Sequence, residues 1–258
     1  MKRILITGAN SYIGTSFEKY MAQWPDQYQV DTVDMIDGTW REKSFAGYDV
    51  VYHVAGIAHQ KETDDNAHVY YAINRDLAVE TAQKAKQDGV RQFVFLSTMA
   101  VYGLEEGAIN LNTCPNPVSY YGKAKYQAEK AIREFGDNGF SVTIFRPPMV
   151  YGVGCKGNYQ SLVKIAKILP VFPDYPNKRS MIHIDRLCWY IKTVIDNRQE
   201  GLILPQDEQY VCTCHMVRNI AESMGKKMLL LKLLNPAVSL AKRFTTAGKK
   251  AFGDLFYE

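Results

Sequence analysis

Three residues near the middle of the chain carry side chains suited to moving a proton. Tyr121 and Lys125 stand four apart, and so on one face of a helix, with Ala128 and Ile132 continuing that face inward. A lysine on a buried face is a poor packing choice. As chemistry it makes sense, because an ammonium beside a phenol stabilises the phenolate and lowers its pKa from about 10 toward neutrality, giving a usable acid or base. A Tyr-x-x-x-Lys pair alone arises often by chance. Thr98, in Leu96-Ser97-Thr98-Met99-Ala100-Val101-Tyr102-Gly103, raises its weight by placing a hydroxyl where an apolar strand ends.

A second group of residues reads as a phosphate cradle. Thr7-Gly8-Ala9-Asn10-Ser11-Tyr12-Ile13-Gly14 follows a strand and opens a helix. Gly8 permits the tight turn and Gly14 lets helix and strand approach. Between them Asn10, Ser11, Tyr12 and Ile13 lead into the helix, whose free N–H groups face a pyrophosphate. Asp34 ends the next strand about 20 residues on, where a carboxylate accepts both ribose hydroxyls of NAD and repels a 2′-phosphate. NAD is therefore favoured over NADP. The alternatives are a glycine-lined turn without ligand and, for Asp34, a plain helix cap.

The elements that must position these groups follow from periodicity. Short apolar runs alternate with amphipathic ones: Lys2 to Thr7, Tyr12 to Gln23, Gln29 to Asp34, Asp49 to Val54, Asn66 to Lys86, Gln92 to Thr98, Ser119 to Phe135 and Ser141 to Phe145. Ile4-Leu5-Ile6, Val50-Val51-Tyr52 and Phe93-Val94-Phe95-Leu96 are apolar on both faces, as in parallel strands covered by helices on each side. The fold class is α/β, a doubly wound parallel sheet of Rossmann type with a small mixed C-terminal lobe. Residues 1–150 form the dinucleotide domain and 151–258 the substrate lobe, with helices at Asn158 to Leu169, Asp185 to Asn197 and Cys214 to Met224.

Composition bounds the function. With 47% apolar and 22% charged residues the chain of 258 is globular, and a net charge of +4 is too weak to imply nucleic acid. The charge is concentrated: Lys226 to Lys250 holds seven basic residues and no acid. That tail is read as a solvated helical face or, more sharply, as a weak peripheral contact with anionic lipid. The five cysteines, an odd set without paired C-x-x-C spacing, fit reduced thiols of a cytoplasmic protein. Cys212, Cys214 and His215 lack a second half of a ligand set, so no metal is expected. The stretch Met228 to Leu234 is too short for a membrane span.

In order and spacing these residues closely resemble the extended short-chain dehydrogenase/reductase family, the NAD-dependent epimerases and dehydratases of nucleotide sugars, from Met1 to about Gly201. His53-Val54-Ala55-Gly56, Asn74, Arg146-Pro147-Pro148-Met149-Val150-Tyr151-Gly152 and Arg179-Ser180-Met181-Ile182-His183-Ile184-Asp185 complete the match. The resemblance implies that Ala55, Gly56, Asn74, Ser97 and Pro147 join the glycine turn, Tyr121 and Lys125 along NAD. It implies that Thr98 holds the reacting oxygen and Arg179 the nucleotide diphosphate. Asn158 is a further candidate for the substrate, or a helix cap; His59 would reach the substrate from its loop, or lie on the surface.

Two positions depart from the family pattern. Ser11 replaces the middle glycine of the turn and narrows the approach to the pyrophosphate. Met99-Ala100 stand where sugar 4,6-dehydratases carry Asp-Glu, and neither can transfer a proton. Redox chemistry at one sugar carbon remains. The resemblance then implies a UDP-hexose 4-epimerase with transient hydride transfer, or a reductase of a 4-keto-6-deoxy sugar nucleotide, suggested by Lys156-Gly157-Asn158-Tyr159; a non-catalytic NAD-binding sensor is the third reading. Family likeness also implies a homodimer through the helices at Asn66 to Lys86 and Ser119 to Phe135. Glu258 ends the chain earlier than is usual for the family, which implies a sugar lobe that is abbreviated or continues outside this sequence.

Overall fold

Residues 1–58 and 60–258 are described by a computed structural model. In chain order the first half runs β1 (Lys2–Thr7), α1 (Tyr12–Met21), β2 (Tyr28–Val33), β3 (Val50–His53), α2 (Ala67–Tyr71), α3 (Leu77–Gln87), β4 (Gln92–Leu96), β5 (Gly107–Ile109), α4 (Tyr120–Arg133) and β6 (Ser141–Phe145). The second half adds β7 (Met149–Tyr151), α5 (Asn158–Ile168), β8 (Val171–Pro173), β9 (Met181–His183), α6 (Ile184–Asn197), β10 (Gly201–Ile203), α7 (Thr213–Ser223), β11 (Leu229–Leu231), α8 (Asn235–Phe244), α9 (Thr246–Phe252) and β12 (Leu255–Tyr257).

Six strands pair in parallel in the order β10-β6-β4-β3-β1-β2. Successive residues of a strand point to opposite faces, and both faces are covered. Ile4, Ile6, Tyr52 and Val94 pack under α1 and α6, while Leu5, Val51, Phe93 and Phe95 pack under α3 and α4. The phenylalanines at 17, 93 and 95 are fully buried, each contributing roughly 1.5–3 kcal/mol through burial. From β1 the chain moves outward to β2 and returns on the other side of β1 as β3. The crevice where such sheets bind ligands therefore lies at the carboxyl ends of β1 and β3.

The structure differs from the sequence reading in three places. The helix expected over Asn66 to Lys86 is α2 and α3 joined by a π turn, Ala72–Asp76, which carries Asn74. From the part assigned to the C-terminal lobe, α6 and β10 return to the sheet: Leu187 and Ile191 join the core beside Ile4, and β10 pairs with β6. The sheet unit is thus discontinuous in the chain. Third, the basic tail folds into β11, α8 and α9 and ends in β12, which pairs in parallel with β5. Lys242 and Lys250 reach Glu106 (3.0 Å) and Glu105 (3.4 Å). The remaining lobe is built on Phe172, Val217, Ile220 and Met228. Among the described residues no helix is long and apolar enough to cross a membrane.

Candidate active site

At the end of β1 the chain turns at Gly8 with φ +99°, a conformation strained for any side chain. A Cβ there would stand 2.9 Å from the backbone of Ala55, so glycine lets the ends of β1 and β3 touch. The Val33 carbonyl accepts the amides of Gly8 (2.9 Å) and Ala9 (3.1 Å), fixing the next residue, Asp34, beside the turn. Asp34 is exposed; one carboxylate oxygen accepts the Ile36 amide at 2.9 Å, and the other has no partner among the described residues.

Ser11 proves to be the cap of α1, its hydroxyl accepting the Gly14 amide at 3.1 Å. Asn10 takes the left-handed turn before it, with φ +64°. The amides of Tyr12 and Ile13 have no acceptor among the described residues. Two free donors at the positive end of a ten-residue helix, next to an exposed carboxylate at the end of β2, fit the diphosphate and ribose of a dinucleotide. Tyr12 contributes its backbone only: its phenol is buried without a partner.

The catalytic candidates sit on the start of α4. Ser119 caps it by accepting the Gly122 amide at 3.0 Å. A Cβ at Gly122 would stand 2.8 Å from the Ala100 carbonyl oxygen, so glycine lets α4 press against the 3-10 turn Met99–Tyr102 that follows Thr98. Tyr121 thereby meets Thr98. The Thr98 hydroxyl accepts the Ala100 amide at 3.1 Å, which leaves its own proton to donate. Burial pushes the Tyr121 phenol up to about 12, with the neighbouring Thr98 hydroxyl opposing.

Lys125, one turn along, is buried. Its ammonium donates to the Leu96 carbonyl at 2.9 Å, lies 4.6 Å from the Phe95 ring centre, and is 3.4 Å from where a Cβ would stand at Gly56. Burial lowers its pKa to about 7, with the Glu129 carboxylate opposing. The sequence reading expected Lys125 to draw the phenol toward neutrality. Instead the ammonium is held by Leu96, and the causes acting on the phenol are burial and Thr98.

Contacts thus link Gly8, Ala55, Gly56, Lys125, Thr98 and Tyr121 along the carboxyl ends of β1, β3 and β4. Other expected residues serve this group from behind. Asn74, fully buried, accepts the Ile57 amide and donates to the Ile57 carbonyl, both at 3.1 Å, so it clamps the Ala55-Gly56 loop; its polar atoms are committed there. The Ser97 hydroxyl donates to Glu129, away from the crevice. Glu129 in turn takes Arg146 Nη2 at 2.6 Å, and Arg146 Nη1 donates to the Tyr102 hydroxyl at 2.8 Å. The Pro147 carbonyl accepts the Met99 amide at 2.9 Å, tying the end of β6 to the turn after Thr98.

Among the described residues, no hydrogen bond or ion pair joins Asn158 or Arg179 to this group. Asn158 is exposed as the first residue of α5. Arg179 pairs its backbone with Val211 and donates from Nη1 to the Gly253 carbonyl at 3.0 Å, holding the C-terminal segment. His59 lies outside the described residues. Cys212, Cys214 and His215 bring their ligand atoms within 4.8 Å of one another at the start of α7, in the C-terminal lobe. Sequence reasoning missed Glu62, Gly122 and Glu129. The last two left a signal, a glycine inside a helix and an acid four residues beyond Lys125 on the inward face; Glu62, in a run of charged residues, left none.

Known proteins resemble the chain along most of its length. UDP-glucose 4-epimerase of Vibrio cholerae is 31% identical over 256 residues, covering 87% of this chain and 76% of the relative. N-acetyl-alpha-D-glucosaminyl-diphospho-ditrans,octacis-undecaprenol 4-epimerase of Escherichia coli O157:H7 is 26% identical over 255 residues, covering 90% and 76%. The fold superposes on UDP-glucuronic acid 4-epimerase from Bacillus cereus in complex with NAD with a TM-score of 0.74 at 20% identity, covering 96% of this chain and 94% of that one. The NAD dependent epimerase/dehydratase family matches residues 4–203, the span that holds the glycine turn, the sheet and the Tyr121-Lys125 helix. On that match and on the geometry it encloses, the chain belongs to the NAD-dependent epimerase/dehydratase family.

Proposed function

We propose that the protein is an NAD-dependent nucleotide-sugar 4-epimerase of the UDP-hexose type. The observation that carries the reading is the close approach of α4 at Gly122 to the turn after Thr98, which puts Tyr121 at that turn, one helical turn from the buried Lys125, on a sheet whose first strand ends in two free helix amides. Two further facts support it: the Vibrio cholerae relative is a UDP-glucose 4-epimerase, and Met99-Ala100 after Thr98 offer no group for dehydration.

When bound, NAD supplies an acceptor that takes hydride from the sugar carbon and returns it. The chain's own residues do the rest. Tyr12 and Ile13 amides hold the diphosphate of the cofactor, and Asp34 its adenosine ribose. Tyr121 takes the proton of the sugar C4 hydroxyl, and Thr98, whose hydrogen is free, donates to that oxygen as charge develops. Lys125, one turn along the same helix, is held by the Leu96 carbonyl and lies against Gly56. Having taken that proton as the phenolate, Tyr121 carries it as a phenol and gives it back to the ketone oxygen when the hydride returns.

Arg179 and Asn158 are assigned to the nucleotide diphosphate, with Arg179 presenting the guanidinium nitrogens that Gly253 leaves free. A homodimer through the outward faces of α3 and α4 completes the reading; Arg75, Val79 and Ala131 line a shallow depression between these helices. Incubation with UDP-galactose, and with a sugar diphosphate on a polyprenol as in the name of the Escherichia coli relative, tests the activity. Interconversion at C4 without net consumption of NADH is expected. Stoichiometric NADH oxidation with a 4-keto-6-deoxy sugar nucleotide, and no interconversion, would instead make the protein a reductase.

A further inference from the structure

The C-terminal lobe carries an inverted amphipathic helix. Ala237, Leu240 and Phe244 recur along α8 at i, i+3 and i+7, with Leu233 leading into it, and this apolar stripe faces outward. Leu233 is 87% exposed, Leu240 61% and Phe244 70%, while the buried contact of the helix is made by Val238. The neighbouring strand extends the stripe. β11 sends Leu230 toward the lobe's core and leaves Leu229 and Leu231 exposed.

The same segment is rich in cations. Of the seven basic residues between 226 and 250, Lys242 and Lys250 pair with Glu106 and Glu105. Lys226, Lys227, Lys232, Arg243 and Lys249 have no acidic partner within 4.0 Å among the described residues. Arg243 holds its guanidinium 5.5 Å from the Phe244 ring centre, so cation and apolar ring project together. A solvent-facing helix gains nothing from such a stripe. A second copy of this chain would bring Lys232 and Arg243 against the same two cations. An anionic bilayer surface satisfies both features at once, since its acyl boundary takes the leucines and its headgroups the cations.

We propose that the face formed by β11 and α8 docks on an anionic lipid surface, with Leu233, Leu240 and Phe244 entering the acyl boundary and Lys232 and Arg243 at the headgroups. The proposal stands apart from the catalytic reading, because none of these residues touches the Tyr121 group.

The full chain is pelleted with phosphatidylcholine vesicles, with and without about one-third phosphatidylglycerol, at about 50 mM and about 500 mM salt. Binding is expected to the anionic vesicles only, weakened by salt. L240E/F244E lowers it about tenfold or more. K232A/R243A lowers it about thirtyfold at low salt. Both pairs of side chains are exposed, so the thermal unfolding midpoint is expected to stay within a few degrees. In F244W the indole emission shifts to the blue on binding. Absence of wild-type pelleting, or pelleting unchanged by L240E/F244E, overturns the proposal. A dimer abolished by L240E/F244E without vesicle binding also overturns it and gives the face to a second copy.

Discussion

The carboxylate of Glu62 accepts the backbone amide of Tyr121 at 3.1 Å and that of Tyr120 at 2.7 Å. A side chain from the loop after β3 thus satisfies two of the orphan donors of α4 and fixes that loop to the helix bearing the phenol. Glu62→Ala is expected to cost about 1 kcal/mol of stability and to lower kcat more than it raises KM. Urea unfolding beside steady-state kinetics checks both; an unchanged kcat would reduce Glu62 to a cap.

Tyr121 and Thr98 are expected to differ in weight. Tyr121→Phe removes the proton carrier and should lower kcat/KM by about 10²- to 10⁴-fold. Thr98→Val removes one donor and should cost about a hundredfold. Both variants should retain wild-type affinity for NAD, measured by calorimetry, since neither supplies the free amides of α1.

Lys125 leaves a mark on stability as a function of pH. Its folded pKa is lowered to about 7 from an unfolded value of about 10.4, so between those limits the unfolded chain binds a proton that the folded chain has lost. Stability from this group therefore rises with pH across that window, by at most about 1.4 kcal/mol per unit. Lys125→Met removes the rise. Urea unfolding of both proteins between neutrality and about pH 10 should show the variant's relative advantage shrinking as pH increases; a constant difference would contradict the burial argument.

Gly56→Ala would place a Cβ 2.7 Å from Asn74 Oδ1 and 3.4 Å from Lys125 Nζ. Because Asn74 is itself pinned to Ile57, relief must come from the loop. A loss of about 1–3 kcal/mol and weaker NAD binding are expected. Thermal unfolding with and without NAD reads both.

Asp34→Ala should reduce affinity for NAD about tenfold, the loss of hydrogen bonds to a charged acceptor, and improve affinity for NADP by removing the repulsion of its phosphate. Parallel titrations with the two cofactors decide the matter.

Much of this molecule was legible because its signals are local. The bounds of β1 and β6, Lys2–Thr7 and Ser141–Phe145, follow from apolar runs between polar ends, and the glycine turn announces itself by position between strand and helix. The Tyr121-Lys125 face is a matter of helical spacing alone. What stayed hidden depends on partners far away in sequence. β10 is three residues that pair with β6, and β12 is three residues held between β5 and a bridge to Arg179. The role of Asn74 needed its bond to Ile57, and that of Ser97 its bond to Glu129. The raised phenol could not be foreseen either, since burial depends on how α4 settles against the Thr98 turn.

Leu255–Tyr257 pairs with Gly107–Ile109, and the Tyr257 hydroxyl donates to the carbonyl of Arg146, whose guanidinium grips Glu129. Chimaeras that graft a foreign sugar-recognition lobe onto this scaffold would therefore have to transplant the short strand at 107–109 along with it. A splice made at the apparent junction near residue 150 would leave the incoming terminal strand without its mate.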